Sequence, residues 1–558
     1  MNKEDLKSFY LAVILSALVV LAVNYFFAPA KTEPAVQEVA VAAAEEEQNL
    51  AAEAENAEVV PVFADVAETL QQDARLPLKN DSITGSIRLK GARFDEVMLS
   101  KYKQTIEENS PAVQLFAPAK TAEAFFAEYG WLSSNPNLKL PNKDTIWQVL
   151  EGDELTPQKP VTLVWRNGEG LTFKYIIRMD ENYLFDVEQI VENHSSKDIS
   201  VVPYGLLNKR AAEDSLQRGI VHQGFTAIID DNLKEVTYSK IDNKGENFET
   251  TGGWVSFADK YWFGAFVFAD DFKADVNIRQ VADNVFQLDY KGEAITIKSG
   301  DMTTVKTNLY AGAKEIKLLD KYAEKIKKFD LTVDFGWYYF LTKPFFYILD
   351  YLYQILGNMG WAILLFAAML RLILFPIANK SFENMSKMKK VQPKIMAIQA
   401  MYKNDKVAQQ RATMELYKKE KINPAAGCLP MLIQIPVFFS LYKVLVISLE
   451  IRHAPFIGWI KDLSAPDPLT ISQWAHIWVP SALDIGVWPL IYGLTMYLQN
   501  KLNPAPANKD QARMFALMPL IFMFMFAHFA VGLVIYWTLS NILSMIQQRA
   551  IMYKNGVK

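Results

Sequence analysis

An arginine inside an otherwise apolar stretch raises the first chemical question about this sequence. Arg371 interrupts residues 361–376, a stretch typical of a membrane-spanning helix. A guanidinium stays charged at physiological pH, and a charge within hydrocarbon costs about 3 kcal/mol or more. Such a side chain lines a polar cavity or, because the stretch ends at Pro376, extends to the membrane surface. The stretch alone leaves both alternatives open.

Two later apolar stretches also contain polar side chains. The first includes Gln434, Ser440 and Lys443, and the last includes Tyr536 and Trp537. Polar groups at membrane depth need protein or water partners, so these stretches predict a helical bundle with a polar interior. Further along the last stretch, two side chains are predicted to form hydrogen bonds between helices, namely Asn541 and Ser544.

The sequence lacks the residue patterns of common catalytic and metal sites. Cys428 is the single cysteine, and the five histidines show no metal-ligand spacing. There is no glycine-rich phosphate loop and no nucleophile elbow. The net charge of −4 argues against nucleic-acid binding by the chain as a whole. We therefore predict a protein that performs no covalent chemistry, is not an enzyme, and needs no metal or cofactor.

Residues 61–330 have the two-residue periodicity of β-strands. Alternating segments at 162–166 and 171–178 flank residues 167–170, whose Asn-Gly-Glu-Gly sequence indicates a hairpin. Many short strands separated by turn residues are typical of a large antiparallel sandwich. We therefore predict an all-β sandwich domain over residues 61–330.

The sequence before the sandwich predicts a membrane anchor. Residues 8–27 are apolar and follow Lys3 and Lys7, which places the N-terminus in the cytoplasm and the sandwich across the membrane. A removed signal peptide is the alternative. Residues 28–60 are rich in alanine and glutamate and are predicted to form a disordered acidic linker.

A basic segment follows the stretch that contains Arg371. Residues 379–423 carry eleven lysine and arginine residues against four acidic ones, so the segment is predicted to be cytoplasmic. Apolar residues at helical spacing indicate a helical hairpin whose first arm is kinked or restarted at Pro393. The hairpin serves membrane topology alone, or forms a surface for ribosomal RNA, anionic lipid or an emerging polypeptide.

The remaining segments complete a prediction of six transmembrane helices. Residues 331–356 are aromatic with one polar stripe, which favours a helix in the membrane interface over a further span. Residues 485–500 are short for a span and would thin the bilayer locally. The predicted order after the sandwich is an interfacial helix (331–356), span 2 (357–378), the cytoplasmic hairpin (379–424), span 3 (425–449), a periplasmic loop (450–484), span 4 (485–500), a cytoplasmic loop (501–512), span 5 (513–530), span 6 (531–549) and a cytoplasmic tail (550–558).

Four segments, together with this order of elements, carry a resemblance to a known family. They are residues 329–337 (FDLTVDFGW), 388–395 (MKKVQPKI), 423–438 (NPAAGCLPMLIQIPVF) and 532–536 (GLVIY). The chain resembles the YidC/Oxa/Alb family of membrane protein insertases, in the Gram-negative type with a large periplasmic domain. The resemblance covers essentially the whole chain.

The resemblance implies a five-helix insertase core with a hydrophilic groove that is open to lipid and cytoplasm. Arg371 takes the central position, and the other implied groove residues are Gln434, Tyr536, Trp537, Lys443 and Ser440. The hairpin is implied to meet arriving chains through Lys387, Lys389, Lys390, Lys394, Lys403 and Arg411.

The resemblance also implies where the protein lies and what it contacts. It implies a mutarotase-like supersandwich without catalysis, in a multi-pass inner-membrane protein whose two termini are cytoplasmic. The implied partners are nascent membrane proteins, the ribosome, SecYEG and SecDF, and the bilayer, with no specific nucleic acid sequence. Some homologues are implied to tolerate a neutral residue at the arginine position.

The sequence departs from the family pattern at several places, three of them single side chains. Ala367 stands where threonine is expected, Trp537 where tyrosine is expected, and Lys443 where an aromatic residue is expected.

Two alternative functions remain open at this point. A small-solute transporter would use Arg371 as an anion site, but the spans show no inverted repeat. A periplasmic carbohydrate enzyme would need paired carboxylates and a histidine in the sandwich, where Trp254, Trp262 and His222 line a site or are ordinary core residues.

Overall fold

The computed structural model describes residues 63–216, 221–403, 405–423, 429–480, 483–504 and 509–556. The predicted anchor (1–27) and linker (28–60) lie outside these residues. The chain divides into two compact units, with the boundary between Asp334 and Phe335.

The first unit consists of two antiparallel sheets. Its elements are α1 (Val66–Leu70), β1 (Arg75–Lys79), β2 (Ile83–Arg88), β3 (Arg93–Lys103), β4 (Ala112–Phe116), β5 (Phe125–Leu132), β6 (Gln148–Glu151), β7 (Val161–Arg166), β8 (Leu171–Met179), β9 (Leu184–Asn193), β10 (Ile199–Arg210), α2 (Glu213–Leu216), β11 (Gly224–Ile229), β12 (Asn232–Thr237), β13 (Glu246–Thr251), β14 (Trp254–Ala258), β15 (Trp262–Val267), β16 (Lys273–Ala282), β17 (Val285–Gly292), β18 (Ile295–Ile297), β19 (Met302–Ala313) and α3 (Ile316–Tyr322). One sheet follows the order β1-β2-β3-β5-β10-β17-β16-β13, with β4 on β3 and β18 on β10, and the other follows β12-β11-β14-β15-β19-β9-β8-β7-β6.

The predicted sandwich and its hairpin are confirmed. Strands β7 and β8 pair through the predicted turn, where the Asn167 Oδ1 atom accepts hydrogen bonds from the backbone N–H groups of Glu169 (2.7 Å) and Leu171 (3.0 Å). Gly168 and Gly170 both have positive φ, at 79° and 91°, a backbone conformation that glycine adopts without strain. This turn chemistry explains why the sequence signal was reliable here.

The three side chains named as an alternative sugar site make contacts within the sandwich. Trp254 is fully buried and donates its indole N–H to the Lys327 carbonyl at 3.2 Å. Trp262 packs against Tyr102, with ring centroids 5.6 Å apart, and a ring nitrogen of His222 lies 3.0 Å from the Phe225 carbonyl oxygen. Because Trp254 has no exposed surface, it cannot line an open site.

The sandwich contains a carboxylate that makes its stability depend on pH. The Glu188 Oε1 atom on β9 accepts hydrogen bonds from Lys306 Nζ (2.8 Å) and Arg178 Nη1 (2.9 Å). The Lys306 hydrogen bond, supported by Arg178, holds the pKa of Glu188 below its ordinary value. A lowered pKa in the folded state stabilises the sandwich above about pH 4.3, and this contribution is lost as pH falls through the folded pKa.

We therefore expect acidification from pH 6 to pH 3.5 to destabilise the sandwich less in a Glu188→Gln variant than in the parent chain. The difference should be about 0.5–1 kcal/mol, because both cationic partners are largely solvated. Hydrogen exchange of β8 and β9 amides in the full chain at several pH values measures it. Identical pH profiles for the two proteins would contradict the assignment.

The second unit is helical. Its helices are α4 (Tyr339–Leu356), α5 (Met359–Ile373), α6 (Phe375–Met401), α7 (Lys406–Lys419), α8 (Leu429–Ile447), α9 (Ile471–Ala475), α10 (Val487–Leu502), α11 (Lys509–Phe526) and α12 (Val531–Lys554). Within the described ranges, none of these helices alone combines the length and apolar composition of a membrane span. Helices α5 and α6 together do, as a pair bent by 66°.

The bend between α5 and α6 lies at Leu374, which caps both helices. This is four residues before the predicted end of span 2. Of the two alternatives predicted at Pro393, a kink or a restart, the restart is wrong, because α6 continues through this residue to Met401. Pro393 is exposed, whereas its neighbours Val391 and Ile395 are buried against Ile422 in the hairpin core. This packing offsets the hydrogen bond that a proline removes from the helix.

The predicted division of the last apolar stretch is confirmed, since α11 ends at Phe526 and α12 begins at Val531. The start of α12 is held by the preceding loop. The N–H groups of Val531 and Gly532 donate to the carbonyls of Ala465 (2.8 Å) and Leu463 (3.0 Å). Helix N-termini leave N–H groups without helical partners, so these bonds stabilise α12, which carries several candidate site residues.

Candidate functional site

A polar contact between α8 and α12 forms the centre of the candidate site. The Gln434 side-chain amide donates to the Tyr536 hydroxyl at 3.1 Å. Tyr536 is only 2% exposed, so its hydroxyl needs a partner inside the bundle. The structure thus joins two residues that the family resemblance implied for the groove and that are 102 positions apart in the sequence.

Arg371 lies in the last turn of α5, close to the bend. Its Nε and Nη2 atoms are buried and have no hydrogen-bond partner among the described residues. The Phe382 ring of α6 lies beside the guanidinium, with 5.8 Å from Cζ to the ring centroid. The Tyr536 hydroxyl lies within electrostatic range of this charge. Arg371, Gln434 and Tyr536 therefore form one polar site, which we call the arginine site.

Trp537 does not share this environment. Its indole stacks on Phe438 with 4.4 Å between centroids, lies 4.0 Å from the Phe526 ring, and contacts Tyr492 at 5.9 Å. Consecutive residues of a helix point about 100° apart, so Tyr536 and Trp537 cannot both face the arginine site. The structure places Trp537 in an aromatic cluster between helices.

Ser440 and Lys443 also lie away from Gln434 on α8. Their positions are rotated by about 240° and 180° from Gln434 around the helix. Ser440 is fully buried, and its hydroxyl has no hydrogen-bond partner among the residues described. The Lys443 side chain packs against Gly336, where an added β-carbon would lie 3.0 Å from Lys443 Cε. Neither side chain is brought to the arginine site.

Helix α12 carries further polar contacts beyond those predicted. Asn541 donates to the Thr495 hydroxyl of α10 at 3.2 Å, which confirms the predicted interhelical hydrogen bond. The Ser544 hydroxyl instead donates to the Ser540 carbonyl within α12. Two adjacent amides, Gln547 and Gln548, were missed. Ser540, Ser544 and Gln547 follow Tyr536 at helical spacing and so lie on the same face of α12. This spacing is the sequence pattern that could have identified Gln547.

The hairpin of α6 and α7 presents an exposed basic surface. Asp405 caps α7, and a core of Val391, Ile395 and Ile422 joins the two arms. Lys394 donates to Glu420 across the arms at 2.6 Å, which lowers the pKa of the Glu420 carboxyl. Of the other predicted contact residues, Lys389 is half-buried and four are exposed, namely Lys387, Lys390, Lys403 and Arg411.

The arginine site contains hydrogen-bond donors and no nucleophile or acid–base pair among its three residues. A guanidinium, an amide and a phenol are groups that can donate hydrogen bonds to carboxylates or backbone carbonyls. In the described part of the chain, no cluster of histidine, cysteine or acidic side chains could hold a metal ion.

Comparison with known proteins agrees with this picture. A family model described as the YidC periplasmic domain matches residues 75–348, and one described as 60Kd inner membrane protein matches residues 351–557. The membrane protein insertase YidC of Rickettsia rickettsii (strain Sheila Smith) is 44% identical over 96% of this chain and 97% of its own length. The insertase of Rickettsia bellii (strain OSU 85-389) is 42% identical over the same shares.

A structural comparison gives a weaker similarity. A crystal structure described as an active YidC insertase, with its first transmembrane domain resolved, aligns with 86% of this chain and 92% of that chain. The identity is 18% and the TM-score is 0.36, which is too low to support an inference.

A large antiparallel sandwich followed by a helical unit with a polar interior, together with these matches, defines an inner-membrane insertase with a periplasmic domain. The chain belongs to the YidC family of membrane protein insertases. Its function is the insertion of proteins into the inner membrane.

Proposed function

We propose that the arginine site receives the polar part of a client protein while the client's hydrophobic segment passes into lipid. The observation that carries this proposal is the guanidinium of Arg371, two of whose nitrogens are buried with no hydrogen-bond partner among the described residues. A buried, unpaired donor costs about 1–3 kcal/mol or more. A client carboxylate or carbonyl would supply the missing acceptor.

The physical chemistry favours clients with short acidic or polar extracytoplasmic tails. The reduced dielectric around a buried guanidinium strengthens its attraction for a carboxylate. Transfer of the client's apolar surface to lipid contributes about 25 cal/mol per Å². These two terms, with any membrane potential, drive insertion without nucleotide hydrolysis, so the protein acts without covalent catalysis.

The hairpin is proposed to meet arriving chains. Its exposed lysines and arginine lie beside exposed methionines, namely Met396, Met401 and Met414. Flexible methionine side chains adapt to varied apolar segments, and cations suit the anionic ribosomal surface. We include the ribosome, nascent membrane proteins, SecYEG and SecDF among the partners.

The proposed membrane arrangement retains six spans with both termini in the cytoplasm. Helix α4 is proposed to lie in the outer interface, because its exposed side chains include Phe340, Tyr351 and Ile355. Two residues of the polar stripe on α4 contact each other: Asp350 is buried and accepts a hydrogen bond from the Gln354 side chain at 2.7 Å.

Photocrosslinking during synthesis of a small membrane protein tests the site. A photoreactive residue at Gln434 should form adducts with the nascent chain, and one at Trp537 should form several-fold fewer, because Trp537 is packed among aromatic rings. The adducts should disappear when the client's transmembrane segment is deleted. Equal adducts from both positions, or none from Gln434 while clients still insert, would contradict the proposal.

A further inference from the structure

One buried side chain of α12 donates two hydrogen bonds to the first turns of α6. Gln547 is 7% exposed, and its Nε2 atom donates to Asn379 Oδ1 at 2.7 Å and to the Phe375 carbonyl at 3.2 Å. An amide nitrogen carries two hydrogens, and both are directed to α6. Reversing the amide would place its oxygen against the Phe375 carbonyl oxygen, so this backbone partner fixes the orientation of the side chain.

The attachment lies where the chain changes direction. Phe375 is the first residue of α6 and follows the 66° bend at Leu374. Arg371 is in the turn before the bend, and Phe382, which lies beside its guanidinium, is in the second turn of α6. Gln547 therefore binds the segment that connects Arg371 to the hairpin.

The buried residues of α6 differ between its first and second halves. Ala378, Ser381, Phe382 and Ser386 form the buried face of the first half of α6. In the second half, Val391 and Ile395 pack in the hairpin core, which α7 and the residues after it complete. The first turns of α6 therefore carry the hydrogen bonds that join the hairpin to α12.

We propose that Gln547 and Asn379 form a lock that fixes the angle of the hairpin relative to the insertase core. Gln547 is a positioning residue for insertion: it holds the hairpin where arriving segments pass toward the core. The proposal rests on the established insertase function and on the contacts of α12 with α6. It does not depend on which residues line the arginine site.

Each hydrogen bond lost shifts the ratio of locked to unlocked hairpins by about 2- to 13-fold. Gln547→Leu removes two bonds, so it should increase the unlocked population by about tenfold or more. Asn379→Asp keeps an acceptor for Gln547 and should preserve the lock. Gln548→Leu is the matched control, because the neighbouring amide is also buried but donates to Asn503 at 3.1 Å and not to α6.

The experiment measures hairpin position and insertion in the same full-length variants. Spin labels replace exposed Gln410 on α7 and exposed Tyr553 on α12, with Cys428→Ser as background, and the protein is reconstituted in vesicles. Gln547→Leu should broaden the distance distribution between the labels and slow client insertion several-fold. Asn379→Asp and Gln548→Leu should leave both quantities close to those of the parent.

Three results would overturn the proposal: an unchanged distribution in Gln547→Leu, a broadened distribution with unchanged insertion, or equal broadening in Gln548→Leu. If Gln547→Leu does not fold, Asn379→Ala removes one of the two bonds and tests the same expectation. Because adducts at Gln434 report on the arginine site and label distances report on the hairpin, failure of one proposal is distinguishable from failure of the other.

Discussion

Replacing Arg371 with glutamate is expected to slow the insertion of a client with an acidic extracytoplasmic tail by about 100-fold. A carboxylate about 5 Å from the guanidinium gains roughly 3 kcal/mol at an effective dielectric constant near 20, and charge reversal removes this attraction. A client with a neutral tail should lose less than about threefold. Protease protection of the tail in reconstituted vesicles measures both rates.

Two variants separate charge at this site from charge in the helical unit as a whole. Arg371→Lys keeps the cation and should retain most activity toward the acidic client. Lys443→Glu makes the same change of charge on α8, but Lys443 packs against Gly336, so insertion should change less than about twofold. If Arg371→Glu slows acidic and neutral clients equally, the arginine has a structural role and the proposed recognition is wrong.

Several strands were predictable from their apolar and aromatic residues, but others were missed, two of them for reasons that the structure shows. The predicted segment at 162–166 became β7, whereas β6 was missed because all four of its residues are exposed at a sheet edge. Strand β10 was missed although its burial alternates over 12 residues. It contains Pro203, which argues against a central strand. On one side, β10 changes partner at this proline, from β18 at residues 199–201 to β17 from Tyr204 onward.

The composition of the site was predictable, but the directions of its side chains were only partly so. The sequence identified the polar groups in the apolar helices, because a polar group in hydrocarbon is costly wherever it points. It could not separate Tyr536 from Trp537, since that depends on how α12 is rotated against α8. The attachment by Gln547 depends on the 66° bend, a tertiary feature that the sequence signalled only through Pro376.

The sandwich contains a buried ion pair whose disruption should have a large effect on stability. Arg93 on β3 and Glu128 on β5 form an ion pair and are only 8% and 7% exposed. The Arg93 guanidinium also lies 4.3 Å from the centroid of the Phe126 ring. Removing one partner leaves the other charge buried without compensation, which costs about 3–5 kcal/mol. Arg93→Met should therefore destabilise the sandwich by this amount.

The double variant Arg93→Met, Glu128→Leu should recover most of the loss, because replacing both charges by apolar groups of similar volume is often neutral or stabilising. Hydrogen exchange of β5 and β10 amides in the full chain measures the change, and the protection should fall by about 100-fold or more in Arg93→Met. Lys273→Met is the control: its pair with Glu293 is 61% and 69% exposed, so the cost should stay below about 1 kcal/mol. If the double variant is as unstable as Arg93→Met, lost packing of the arginine on Phe126 accounts for the effect, and the ion pair does not.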